Sequence, residues 1–200
     1  MVPALPVTVL VPLKPLAEAK SRLRGAEADH EALVLDLARR TVRAARAAAG
    51  VARVYVVTRD GRAARELRDC GAEIAPDTGR DLNDALCQAA DRFDGRTQRL
   101  AALPADLPAL RPDELAQALA AAGPGRAFVP DAAGIGTVLL VSAVGGRLDP
   151  RFGPGSAAAH ELSGARRLGG GWPTLRRDVD TAEDLAAVRA WGLPYAGSAA

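Results

Sequence analysis

Three short stretches place charged side chains where chemistry on an anion could use them. "RDVDTAEDL" sets Asp178 and Asp180 two residues apart, and "LPADLPAL" supplies Asp106. At the end of a strand, the two-residue period puts Asp178 and Asp180 on one face. Carboxylates that close repel each other unless a cation lies between them. Mg²⁺ takes a few carboxylates and fills its other positions with water and phosphate oxygens. "TVLVPLKPLAEAKSRL" carries the opposite charge, with Lys14, Lys20 and Arg22 following an apolar run. Such cations neutralise a polyphosphate, lysine as a point charge and arginine bidentately. Each stretch also has a plainer reading. The cations can be solvated surface residues, and Asp106 a turn residue. Thr181 with Asp184 resembles a capping box, which accounts for Thr181 and Asp180 but not for Asp178.

Three further stretches offer polar groups to a small anion or a base. In "RFGPGSAAAHELSGARR", Gly153 and Gly155 lead into Ser156, a natural N-cap. A helix N-terminus presents free N–H groups and partial positive charge to a phosphate or carboxylate. Ser156 and His160 are four apart and share a helix face, although a capped helix with a surface histidine explains them equally. In "DAAGIGTVLL", Gly134 and Gly136 allow close backbone approach, and Thr137 starts a strand with its hydroxyl at the rim. Asn83, in "GRDLNDAL", is first a cap and second a base reader.

The elements that must position these groups alternate along the chain. Strands are expected at Val7–Val11, Val51–Thr58, Ala72–Ala75, Arg99–Pro104, Arg126–Pro130, Thr137–Val141 and Pro173–Val179. Helical periodicity marks Glu31–Ala49 and Ala63–Asp69. Further helices start near Leu82, at Pro112, in "GSAAAHELSGARRLG" and in "TAEDLAAVRAWG". The alternation specifies a single α/β domain over residues 1–200, a mostly parallel sheet with helices on both faces and a frayed tail from about 195. Ligands in such sheets bind beyond the carboxyl ends of the strands. The loop after the first strand has neither the dinucleotide-binding glycine pattern nor a Walker-type phosphate loop.

Composition narrows the class. The chain of 200 residues is 48% hydrophobic and 25% charged, the balance of a soluble globular domain. A net charge of +2 is too mild for a nucleic-acid binder but allows a local cationic pocket. No apolar run reaches the length of a membrane span, and the start lacks a signal-peptide charge pattern. Cys70 and Cys87 have no metal-binding spacing and read as free thiols of a cytoplasmic protein.

Taken in order, "VPLKPLAEAKSRL", "GRDLNDAL", "LPADLPAL", "DAAGIGTVLL", "RFGPGSAAAH" and "RDVDTAEDL" resemble the 2-phospho-L-lactate / phosphoenolpyruvate guanylyltransferases of coenzyme F(420) biosynthesis. The resemblance runs from about Val7 to Leu185. It implies a nucleotide-diphospho-sugar transferase-like fold that condenses GTP with a small phospho-acid, releasing pyrophosphate. It also implies that Asp106, Asp178 and Asp180 hold Mg²⁺, and that Lys14, Lys20 and Arg22 lie on the triphosphate. Thr137, Gly153 and Ser156, with His160 on the same helix face, would bind the phospho-acid, and Asn83 would lie near the base. The pattern departs at Ile135, where the family motif leads one to expect a threonine. Family members differ in acceptor (phospholactate, phosphoenolpyruvate or phosphoglycerate), and the Ala/Arg-rich composition resembles that of an actinobacterial member, which implies phosphoenolpyruvate. Expected partners are the two substrates and a downstream transferase, with the chain a monomer or homodimer. The competing readings are a CTP-dependent nucleotidyltransferase of the same fold, a GTP-binding module without turnover, and a scaffolding domain.

Overall fold

The computed structural model describes residues 5–191. The expected tail from about 195 lies outside them. Seven strands form one sheet: β1 Val7–Pro12, β2 Val51–Thr58, β3 Glu73–Pro76, β4 Arg99–Ala102, β5 Ala127–Pro130, β6 Thr137–Val141 and β7 Arg166–Arg167. The helices are α1 His30–Ala47, α2 Gly61–Asp69, α3 Leu82–Ala90, α4 Pro112–Ala122, α5 Ser156–Leu162 and α6 Ala182–Ala190. The strand order is β3-β2-β1-β4-β6-β5-β7. β1 pairs in parallel with both β2 and β4, and β2 with β3. The chain therefore builds outward from β1 to β3, then returns to lay β4 on the other side of β1. The crevice between the carboxyl ends of β1 and β4 is the switch point at which such sheets bind ligands.

β6 runs antiparallel to both β4 and β5. Its first residue, Thr137, stands opposite Pro130, the last residue of β5. That reversal carries the start of β6 to the edge where the neighbouring strands end.

Both sheet faces are covered, as the Val- and Leu-rich strands require. One face packs Val9, Val11 and Val56 against Val34, Ala38 and Val42 of α1, Leu67 of α2 and Leu115 of α4. The other packs Leu10, Val57 and Phe128 against Leu86 of α3 and Ala157 of α5. A smaller cluster joins Leu23, Leu33, Leu37, Val179, Leu185 and Val188, seating α6 beside α1. Side-chain caps fix where helices begin: Asp29 accepts from the Ala32 N–H at 2.9 Å, and Asp60 from those of Arg62 and Ala63 at 2.9 Å.

Two expectations are corrected. Pro173–Val179 is not a strand, since residues 173–176 form turns. The half-apolar pattern there is overridden by the Glu114 carboxylate, which accepts the Thr174 and Leu175 N–H groups at 2.8 and 3.0 Å. The segment "GSAAAHELSGARRLG" is helical only to Leu162. Gly164 then adopts the left-handed conformation (φ 87°), and Arg166–Arg167 add a short strand beside β5.

Candidate active site

The β1 turn delivers the cations. After Pro12 the chain crosses the sheet edge, and the Leu16 N–H donates to Asp60 Oδ2 at 2.9 Å. Burial opposes ionisation of Asp60, but three backbone N–H groups outweigh it and hold its carboxyl below the usual range. One carboxylate therefore starts α2 and ties down the loop that carries Lys14. Lys14, Lys20 and Arg22 all line a cavity of about 620 Å³ between the ends of β1 and β4. Lys14 and Arg22 are exposed. Lys20 is largely covered and sits at φ 52°, a conformation that residues other than glycine rarely adopt. Its ammonium is ion-paired to both Asp106 and Asp180. Burial works against that charge, but Asp106 first and then Asp180 outweigh it, and the Lys20 pKa is raised.

The carboxylates come from two separate segments. Asp106 follows β4 in a loop gripped by Thr41 of α1. The buried Thr41 hydroxyl accepts the Leu107 N–H at 3.0 Å and faces the Ala105 carbonyl at 3.2 Å. The Val179 N–H donates to the Asp106 carbonyl at 3.0 Å, stitching the second segment to the first. Val179 itself is buried against Leu23 and Leu185, and its two acidic neighbours come together with Asp106. Oxygens of Asp106, Asp178 and Asp180 all lie within 4.8 Å of one another. The capping-box reading holds and leaves the carboxylates of Asp178 and Asp180 outside it. Thr181 and Asp184 close a full capping box on α6, so neither Asp178 nor Asp180 is the cap. Asp106 caps no helix, and its Oδ1 is buried without a hydrogen-bond partner.

Crowding shows in protonation. Burial first, then Asp106 and Asp180, push the Asp178 carboxyl up to about 6. A divalent cation fits this cluster: the donors are all hard carboxylate oxygens, one is orphaned, and one Lys20 ammonium leaves two negative charges uncompensated.

A second polar group surrounds the loop from Arg151 to Gly155, whose Phe152 and Pro154 line the same cavity. Asn83 pairs both ways with the Phe152 backbone: its Nδ2 donates to the carbonyl at 2.9 Å, and its Oδ1 accepts the N–H at 2.7 Å. Asn83 is thus a clamp on this loop, with one donor and one acceptor of its amide engaged. Ser156 is the first residue of α5, and Gly155 stands at the N-cap instead. The Ser156 and Ala157 N–H groups already donate to the Gly153 and Ile135 carbonyls. Gly153 has φ 143°. Thr137 and His160 meet at 2.9 Å, and His160 is fully buried, where a surface position was the plain expectation.

The glycine-rich loop before β6 is organised by Asp131, which sequence inspection did not single out. Its carboxylate accepts the Ile135 and Gly136 N–H groups at 2.9 and 2.8 Å. A Cβ on Gly136 would lie 2.5 Å from that carboxylate, so a larger residue there would displace the Asp131 side chain from these N–H groups. The Ile135 side chain is 63% exposed. Its backbone holds the loop, the N–H donating to Asp131 and the carbonyl accepting from the Ala157 N–H. Thr41 and Glu114 also escaped notice. The only trace either leaves in the sequence is a polar residue on an otherwise apolar helix face.

A cationic and acidic cleft at the switch point of a mostly parallel sheet can take a polyphosphate together with a divalent cation. The fold is shared with a solved structure: a Desulfovibrio desulfuricans G20 protein, provisionally described as a nucleotide-diphospho-sugar transferase, superposes with TM-score 0.69. That match covers 96% of this chain and 89% of the other, at 17% identity. The profile of the MobA-like NTP transferase domain matches residues 21–178. The phosphoenolpyruvate guanylyltransferase of Salinispora arenicola is 53% identical over 93% of this chain and 89% of its own length. That of Streptomyces avermitilis is 51% identical with the same coverage. The chain belongs to the MobA-like NTP transferases and, within them, to the phosphoenolpyruvate guanylyltransferase family.

Proposed function

We propose that the chain condenses GTP with phosphoenolpyruvate, giving a guanosine-diphospho-enolpyruvate and pyrophosphate. A phosphate oxygen of the acid attacks the α-phosphorus of GTP, and the bond to the bridging oxygen breaks. The electron pair leaves with pyrophosphate. The attacking phosphate is already an anion near neutral pH, so the step needs no strong general base. The barrier is mainly charge repulsion and alignment. Lys14 and Arg22, exposed in the cavity wall, are placed to hold the triphosphate and take up charge on the leaving group. Lys20 screens the carboxylates from the incoming anion. Asp106, Asp178 and Asp180 would hold Mg²⁺, which supplies Lewis-acid stabilisation of phosphoryl charge when bound. Thr137 and the Arg151–Ser156 loop, whose Phe152 and Pro154 line the cavity, would receive the phospho-acid. The product has the character of an activated precursor for coenzyme F(420) assembly, drawn off by a downstream transferase.

The observation that carries this reading is the convergence, in a chain of this family, of three cations with Asp106 and Asp180 at one strand-edge cavity, Asp178 clustering behind them. The test is pyrophosphate release from purified protein with Mg²⁺ and each of GTP, CTP, ATP and UTP. Phosphoenolpyruvate, 2-phospho-L-lactate and 3-phospho-D-glycerate are supplied separately, with and without the downstream transferase. Release with GTP and phosphoenolpyruvate is expected. Release only with CTP or only with another acid would replace the substrate assignment. Nucleotide binding with no release under any condition would leave a binding module.

A further inference from the structure

His160 is fully buried behind the Arg151–Gly155 loop, and its two ring nitrogens face different kinds of group. Nε2 lies 2.9 Å from the Arg151 backbone nitrogen. A backbone N–H can only donate, so Nε2 must accept and carries no proton. The ring is walled by Phe152 and Phe128, with centroids at 5.2 and 5.8 Å, and is fully buried. Burial first, then the Arg126 charge, pull its pKa down to about 4, so the ring is neutral near pH 7. A neutral imidazole with a bare Nε2 is protonated on Nδ1. Nδ1 lies 2.9 Å from Thr137 Oγ1. A protonated Nδ1 donates there and cannot accept, which forces the Thr137 hydroxyl proton to point elsewhere.

We propose that His160 is a positioning residue, locked in the Nδ1–H tautomer, that keeps the Thr137 hydroxyl proton free to be donated to an acceptor-only oxygen of the phospho-acid. The inference rests on the reading of Thr137 as a contact of that acid. The chemistry is selective: carboxylate and phosphate oxygens accept hydrogen bonds without competing to donate. The same ring pins the Arg151 N–H, while Asn83 pins the Phe152 backbone beside it. Hydroxyl and loop are thereby fixed together, before the substrate arrives.

Three variants separate the two ring nitrogens. His160→Asn keeps a donor where Nδ1–H stood, His160→Gln keeps an acceptor where Nε2 stood, and His160→Leu keeps neither. Losing the directed hydrogen bond should raise KM for phosphoenolpyruvate about 10- to 100-fold in His160→Gln and His160→Leu. KM for GTP should stay near wild type, and His160→Asn should recover most of the loss. In the intact protein, long-range ¹⁵N–¹H correlation spectra near pH 7 should show the proton on Nδ1, with and without phosphoenolpyruvate. A ring protonated on Nε2, or on both nitrogens, would overturn the proposal even if a variant failed to fold. So would an equal rise in both KM values, or an unchanged KM for the acid in folded His160→Leu. If the wild-type protein released no pyrophosphate with phosphoenolpyruvate, the parent reading would fall, and this inference with it. An active wild type with an insensitive His160→Leu would sink this inference alone.

Discussion

Asp178 gives the sharpest quantitative test of the acidic cluster. Its carboxyl is raised from 3.8 to about 6 by burial first and then by Asp106 and Asp180. Between about pH 4 and about pH 6 the folded chain therefore keeps a proton that the unfolded chain has released. Stability falls as pH rises through that window, and the full penalty is present above it. Two pK units correspond to roughly 1–3 kcal/mol once partial solvation is allowed for. Asp178→Asn removes the charge while keeping the shape. In EDTA at pH 7.5 the variant should be more stable than wild type by that amount, about 2–12 °C in Tm for a domain of this size. At pH 4 the two proteins should converge, because wild type is then protonated at this position. Adding Mg²⁺ with GTP should raise Tm of wild type more than that of the variant, and turnover of the variant should drop at least about 10²-fold. The assay is thermal unfolding across pH in EDTA and in Mg²⁺–GTP, together with pyrophosphate release. An Asp178→Asn protein less stable than wild type in EDTA at pH 7.5 would refute the claim that the three carboxylates repel.

Other expectations follow from the same geometry. Lys20→Met leaves Asp106 and Asp180 without their ion-pair partner, so it should lower Tm in EDTA, with part of the loss recovered by Mg²⁺ in the same unfolding assay. Thr41→Val keeps the shape but strands the buried Leu107 N–H; urea titration should show a loss of about 1–3 kcal/mol, and kcat should fall because the Asp106 loop is released. Asp60→Ala removes both the α2 cap and the anchor of the Leu16 N–H. It should cost about 1–2 kcal/mol in urea unfolding and speed amide exchange at Leu16.

The alternation of strands and helices is set by local pattern, and it was legible along most of the chain. Apolar runs such as "VARVYVVT" and the helical period of α1 need no tertiary help to declare themselves. The candidate residues were also legible by type, because Asp106, Asp178, Asp180 and the three cations fall where strands were expected to end. The false strand at Pro173–Val179 shows the limit of local pattern. A buried Glu114, some sixty residues earlier, captures two of its backbone N–H groups, and no local signal carries that.

What the sequence by itself determined is therefore the fold class and the inventory of charged groups, since both follow from residue types at short spacing. Their partnerships were decided only in three dimensions. Asp106 meets Asp178 and Asp180 because Val179 is buried and its N–H reaches across to the Asp106 carbonyl. Asn83 clamps the Phe152 backbone because the fold lays that loop beside α3. Thr137 begins its strand yet stands where the other strands finish, because β6 is antiparallel to its neighbours. Strand direction depends on which strand lies alongside, a contact between distant segments, and the periodicity of a five-residue strand is the same in either direction.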